Sequence, residues 1–311
     1  MNTWRESASL PIVRRSDMTR SMTRSRRRAI VGAVAGGLLG LLGQTAPGLA
    51  YEEIAVTGGG TVTGRVVLNG PPPPSRIFHL VFSPNTDFCG RISDGKGNRL
   101  LKEFTVSGAG GLQDVIVAVV GVERGKPFPY TPRIEINNCR IGPFVMPVRN
   151  GRPMTIVNQD PIVHDLQAYT LKDDYTFEMF NKPMVPESTA VKEVRLRKGH
   201  YLFRTQCGVH DFMQSWGIAV GNPYFAVTDA DGRYTIPDLP PGEYDIIAWH
   251  PHMQVRAGHI TVAAGGTATQ DFQFNAAEVE IPLHDLETHY RLQPALEAHR
   301  LSAPTIELQR P

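Results

Sequence analysis

The chain has 311 residues, 32 basic against 30 acidic side chains, and a formal net charge of +2. The first 28 residues hold eight arginines and two acids, so the rest carries 24 basic and 28 acidic groups, a net of −4. A basic nucleic-acid surface is thereby excluded, because no basic run with interleaved aromatics lies beyond the first 28 residues.

Arg26, Arg27 and Arg28 precede an uncharged stretch, 29–42, too short and glycine-rich to span a bilayer as a helix. Gly48-Leu49-Ala50 then offers small residues at the positions a signal peptidase reads. Residues 1–50 are therefore expected to be a signal peptide, by the twin-arginine or the general secretory route. The mature chain, from Tyr51, is expected in the periplasm or outside the cell, with no transmembrane span. In an oxidising compartment three cysteines predict one disulfide and one thiol left over. Cys89 and Cys139 are the expected pair, which leaves Cys207 free.

Between Thr61 and Phe274 short β-branched or alternating runs, punctuated by Gly, Pro, Asn and Asp, predict an all-β protein. Expected strands are 61–68, 115–120, 154–157, 190–196, 199–206, 217–220, 232–236, 242–249 and 258–262, and the prolines at 71–74 cannot lie within a ladder. Beyond Asn275 the spacing of Leu283, Leu286, Tyr290, Leu292 and Leu296 suits a short helical tail over 276–311.

The richest element is Cys207-Gly208-Val209-His210-Asp211-Phe212-Met213, a thiol, an imidazole and a thioether within seven residues. A soft, one-electron metal site that combines thiolate, imidazole and thioether suits copper. Runs reading as strands enter and leave this loop, and His164 follows another strand and a short loop, 159–163. The order histidine, then cysteine, histidine and methionine resembles the cupredoxins of the plastocyanin and amicyanin type. The likeness runs from about Pro143 through Gly151 and Asn158 to Val220.

That resemblance implies a Greek-key sandwich holding one copper ion, Cu(I)/Cu(II), with His164, Cys207 and His210 equatorial and Met213 axial. It also implies single-electron transfer with a redox partner such as a c-type cytochrome or dehydrogenase. In the family the edge of the second histidine emerges in an apolar patch. Pro161, Ile162, Val163, Val209 and Phe212 are the corresponding residues here, with packing beneath the loops as their other role. Asp165 and Asp211 stand where those proteins commonly carry Asn and Pro, and an inward-facing carboxylate beside either histidine would stabilise the oxidised ion.

Residues 226–249, with Asp231-Gly232 and Pro241-Gly242 as turns, resemble the carboxypeptidase regulatory-like domain, a transthyretin-type β-sandwich. Residues 222–275 supply only about four strands, too few to bury both faces of two sheets. The run 60–70 resembles the first strand of that family, and 113–120 could be its second. The expected organisation is a cupredoxin, 136–221, inserted between residues 51–135 and 222–275 of a split sandwich; domains in series are the alternative.

Trp249-His250-Pro251-His252-Met253 contains three imidazole or soft donors but matches no defined metal geometry, so loop structure is its expected role. Nucleotide-binding glycines, a nucleophile elbow and a haem attachment motif are absent from the sequence. Four protein donors leave a metal no open position for substrate, so no enzymatic activity is expected. A non-redox copper-delivery or structural module of an envelope complex is the competing class.

Overall fold

The computed structural model describes residues 51–172 and 175–280. The expectations of a leader over 1–50 and of a helical tail lie outside these residues, apart from a 3-10 turn at Ala276–Glu278. The described chain is nearly all β, with a single short α-helix, Thr86–Cys89. Among the described residues no helix is long and apolar enough to cross a membrane.

Two sandwiches lie back to back. The outer one pairs two sheets. In the first, Ile116–Val120 lies between Phe225–Val227 and Gly242–Trp249, followed by Arg256–Val262. In the second, Gly60–Asn69 pairs with Arg233–Leu239 on one side and with Thr267–Thr269 and Phe272–Asn275 on the other. Val62, Val66, Val117, Val119, Ile236, Ile246 and Phe274 fill the space between them. Strands from both ends of the chain thus share these sheets, and residues 133–219 lie between those ends in sequence. Residues after 222 supply six strands rather than about four, and they share their two sheets with the two strands that precede the central segment.

The central sandwich contains Thr189–Val194, Arg152–Asn158, Arg133–Ile136 and Ile141–Gly142 in one sheet. Its second sheet is ordered Tyr175–Met184, His164–Lys172, Leu202–Cys207, Gln214–Ala219 and Val145–Val148. Ile134, Ile136, Met154, Ile156, Leu166, Ala168 and Phe203 form its core. The sequence reading did not place the hairpin of His164–Lys172 and Tyr175–Met184. The buried positions at its start alternate as His164, Leu166, Ala168 and Thr170, of which only Leu166 is a strong apolar signal.

A third cluster joins the sandwiches. Ile116, Ala118, Ile247 and Trp249 from the outer one meet Val145, Leu171, Leu202, Trp216 and Ile218 from the central one. This explains why Ile116–Val120 reads as a continuous apolar run: its odd and even side chains face two different cores.

Residues 76–101 depart from the expected organisation. They were counted with the outer sandwich, but Phe78, Leu80, Cys89 and Leu101 are buried in the central core. This segment is a two-stranded ribbon, Arg76–His79 against Asn98–Leu101, enclosing the short helix. Its attachment is covalent: Cys89 and Cys139 form a disulfide, as the cysteine count predicted.

Candidate metal centre

The four expected donors gather at one end of adjacent strands in the second central sheet. His164 opens the strand His164–Lys172, and Cys207 ends the neighbouring strand, with Leu166 opposite Cys207 in register. The Cys207 amide donates to the Met213 carbonyl at 3.1 Å, and the Met213 amide to the His210 carbonyl at 2.9 Å, so the loop closes on itself. The Gly208 amide donates to the Asp165 carbonyl at 2.8 Å and ties the loop to the His164 strand.

The Cys207 Sγ lies 3.7 Å from His164 Nδ1 and 3.6 Å from His210 Nδ1. All three donor atoms lie within 4.8 Å of one another, and all three residues are fully buried. Met213, 2 % exposed, belongs to the same core cluster as Cys207.

Each imidazole has its second nitrogen occupied. His164 Nε2 lies 2.9 Å from a carboxylate oxygen of Asp160, a buried side chain that also accepts the amides of Asn138 (2.5 Å) and Cys139 (2.9 Å). Asp160 cannot donate as a carboxylate, so the proton sits on Nε2 and the Nδ1 lone pair faces the thiol. His210 Nε2 lies 3.6 Å from Cys89 Sγ, and the nearby Pro84 backbone favours the protonated form of the ring.

The electrostatics agree with this assignment. Burial, then the neighbouring His164, push His210 down to about 4. Burial also lowers His164, against the opposing pull of Asp160. Both rings are therefore neutral near pH 7 and free to donate. Burial raises the Cys207 thiol, opposed by the amides of Val209, His210 and Asp165. Those amides and a bound cation would stabilise a thiolate that the apolar surroundings alone disfavour.

Two neutral imidazoles with their Nδ1 atoms facing one buried thiol fit a soft transition metal, and the Met213 thioether in the same core cluster narrows the choice toward copper. A second grouping, Cys139, Asp160 and His164, offers no thiolate because Cys139 is spent in the disulfide.

Residues 218–275 match the family model of the carboxypeptidase regulatory-like domain. No curated protein matches the chain. Among solved structures, the purple cupredoxin of Nitrosopumilus maritimus is 14% identical, covers 29% of this chain and 99% of its own, and superposes with a TM-score of 0.24. The amicyanin of Paracoccus versutus is 13% identical, covers 33% and 97%, and has a TM-score of 0.25. A copper-containing nitrite reductase from Thermus scotoductus is 14% identical over 33% of this chain and 25% of its own, with a TM-score of 0.24.

The other residues singled out from the sequence fall in different places. Pro161 and Val163 are exposed, Ile162 and Val209 are half-buried, and Phe212 is buried with its ring centroid 5.0 Å from that of Phe78. The edge of His210 does not emerge among them, because residues 76–101 lie over it. The Asp165 carboxylate accepts from the Gln167 side chain at 3.0 Å and the Asn181 side chain at 3.5 Å, so it is held beside the strand by neutral partners. His250, His252 and Met253 are buried, and His250 Nε2 lies 3.1 Å from the Glu103 carbonyl, so this motif braces the outer sandwich. Sequence reading missed Asp160 and Asn158 as supports of His164. A short polar turn, Asn158-Gln159-Asp160, between a strand and the histidine was the available signal.

Proposed function

We propose that this chain binds one copper ion through His164, Cys207, His210 and Met213 and carries single electrons between redox partners outside the cytoplasm. The observation that carries the reading is the pair of Nδ1 atoms held 3.6 and 3.7 Å from one free, buried thiol. Copper bound there would supply the Cu(I)/Cu(II) couple. The protein's part is rigidity: Asp160 holds the His164 ring, Cys89 packs against the His210 ring, and the sheets hold the strands, so the donors need little movement between oxidation states.

The partner is expected to be a c-type cytochrome or a dehydrogenase, and substrate chemistry is not expected at a metal whose four positions are filled by protein. Copper delivery is the competing reading, and complete burial of the three donors speaks against ready hand-over. Addition of Cu(II) to purified protein should produce an intense sulfur-to-copper charge-transfer band in the visible, and Cys207→Ser should abolish it. A colourless wild-type protein, or a band that survives in the variant, refutes the assignment.

A further inference from the structure

The three donors His164, Cys207 and His210 have no exposed surface. Metal therefore reaches them only if part of the chain moves, and the elements around the site differ greatly in how firmly they are held. His164 and Cys207 belong to the paired strands of a five-stranded sheet. Residues 76–101 are paired only within their own ribbon. They touch the site through Cys89 Sγ on His210 Nε2 and through Phe78 on Phe212, with the Pro84 backbone also beside the His210 ring. Their apolar contact with the core beneath is made by Phe78, Leu80 and Leu101, which are buried, and by Phe88 and Ile92, which are partly buried. A segment whose backbone pairs only with itself can open without breaking the sheets of the rest.

One bond opposes that opening. The Cys89–Cys139 disulfide joins the end of the short helix to the turn before Ile141–Gly142 and closes a sequence separation of 50 residues. Asp160 accepts the Cys139 amide at 2.9 Å and contacts His164 Nε2, so the anchored end of the bond is itself part of the scaffold of the first histidine. The disulfide thus links a movable cover to the fixed wall of the site, in contact with a donor ring.

We infer that residues 76–101 are a lid over the metal site, that Pro84 and Cys89 position His210 from the lid side, and that the Cys89–Cys139 bond is the latch that sets how fast the site exchanges with solvent. The lid hypothesis rests on geometry that exists without metal, whereas its consequence for copper rests on the function proposed above. With the latch closed, metal and solvent reagents meet Cys207 at the rate of rare opening. Without it, opening is limited by the apolar contacts of Phe78, Leu80, Leu101, Phe88 and Ile92.

The test uses metal-free protein and the free thiol as reporter. Iodoacetamide alkylates Cys207 when the sulfur displaces iodide and the thiol proton passes to water, and mass spectrometry follows the adduct. In Cys89→Ala/Cys139→Ala the rate should rise on the order of 100-fold or more, the scale set by losing a cross-link across a loop of this size. Amide exchange in the strand His164–Lys172 should stay slow. Side-chain nitrogen shifts of His210 should also move from a single Nε2–H tautomer toward a mixture, a change that loss of stability alone would not cause in a folded protein.

Equal alkylation rates in the two proteins overturn the lid, as does rapid alkylation of the wild type at the rate of an exposed thiol. If the double variant loses its sheet protection, Phe78→Ala loosens the same segment with the disulfide kept; faster alkylation there supports the lid and an unchanged rate overturns it. A protein that never turns blue refutes the copper reading and leaves this outcome standing.

Discussion

Replacing Asp160 with Asn tests the support of the first histidine. The carboxylate is 2 % exposed and accepts three donors: the Asn138 amide on one oxygen, and the Cys139 amide and His164 Nε2 on the other. An amide side chain has one acceptor end. If that end faces Cys139 and His164, its NH2 group confronts the Asn138 amide and a buried donor is left unpaired. If it faces Asn138, the NH2 group confronts both Cys139 and His164, and the ring relieves the clash by moving its proton to Nδ1, where the lone pair should face the thiol. One lost hydrogen bond to a charged group, or one buried donor left unsatisfied, costs about 1–3 kcal/mol, and a loss of that size is expected. Loss of a partner that orients a ligand imidazole typically weakens metal binding about 10–100-fold. Urea unfolding of metal-free protein reads the first effect, and competition with a chelator of known copper affinity reads the second. A variant with wild-type stability and wild-type affinity would refute the role of Asp160.

Metal-free protein should lose stability as pH falls below the ordinary histidine value of 6.5. Burial depresses His210, His164 and His250, so the unfolded chain binds protons that the folded chain refuses. His210 alone, pushed down to about 4, corresponds to about 3 kcal/mol lost by pH 4, and a flat unfolding midpoint between pH 7 and 5 would contradict the neutral assignment. In the outer sandwich, Gly64→Ala places a Cβ 1.9 Å from the Gln270 carbonyl oxygen. That backbone contact should cost about 2–4 kcal/mol in chemical denaturation while leaving copper colour intact, and loss of colour in a still-folded variant would argue against independent cores. Trp249→Ala empties part of the cluster between the sandwiches, with an expected loss of about 3–5 kcal/mol by calorimetry.

The ligand loop was readable in the sequence because its chemistry is local: Cys207, His210 and Met213 lie on one short connection between two strands, and no tertiary information is needed to bring them together. The disulfide was readable because, for three cysteines expected in an oxidising setting with one of them within the motif, a single sensible pair is left. The all-β class follows from turn residues and β-branched runs, whereas the burial of Ile116–Val120 on both faces is shown only by the two cores it meets. The hairpin after His164 escaped notice because His164, Ala168 and Thr170 occupy buried positions without a strong apolar signature.

What covers the second histidine was a different kind of question. The resemblance pointed to an exposed edge among Pro161, Ile162, Val163, Val209 and Phe212, yet Cys89 reaches His210 across 121 residues of sequence. No periodicity or spacing encodes such a contact, because it depends on where a ribbon with its own internal pairing settles against a core formed by other segments. The sequence by itself determined the donor types, their order and the β framework, all set by short-range chemistry. Only the tertiary structure decided that Asp160 supports the first ring and Cys89 meets the second, and that a disulfide-bound segment covers the site.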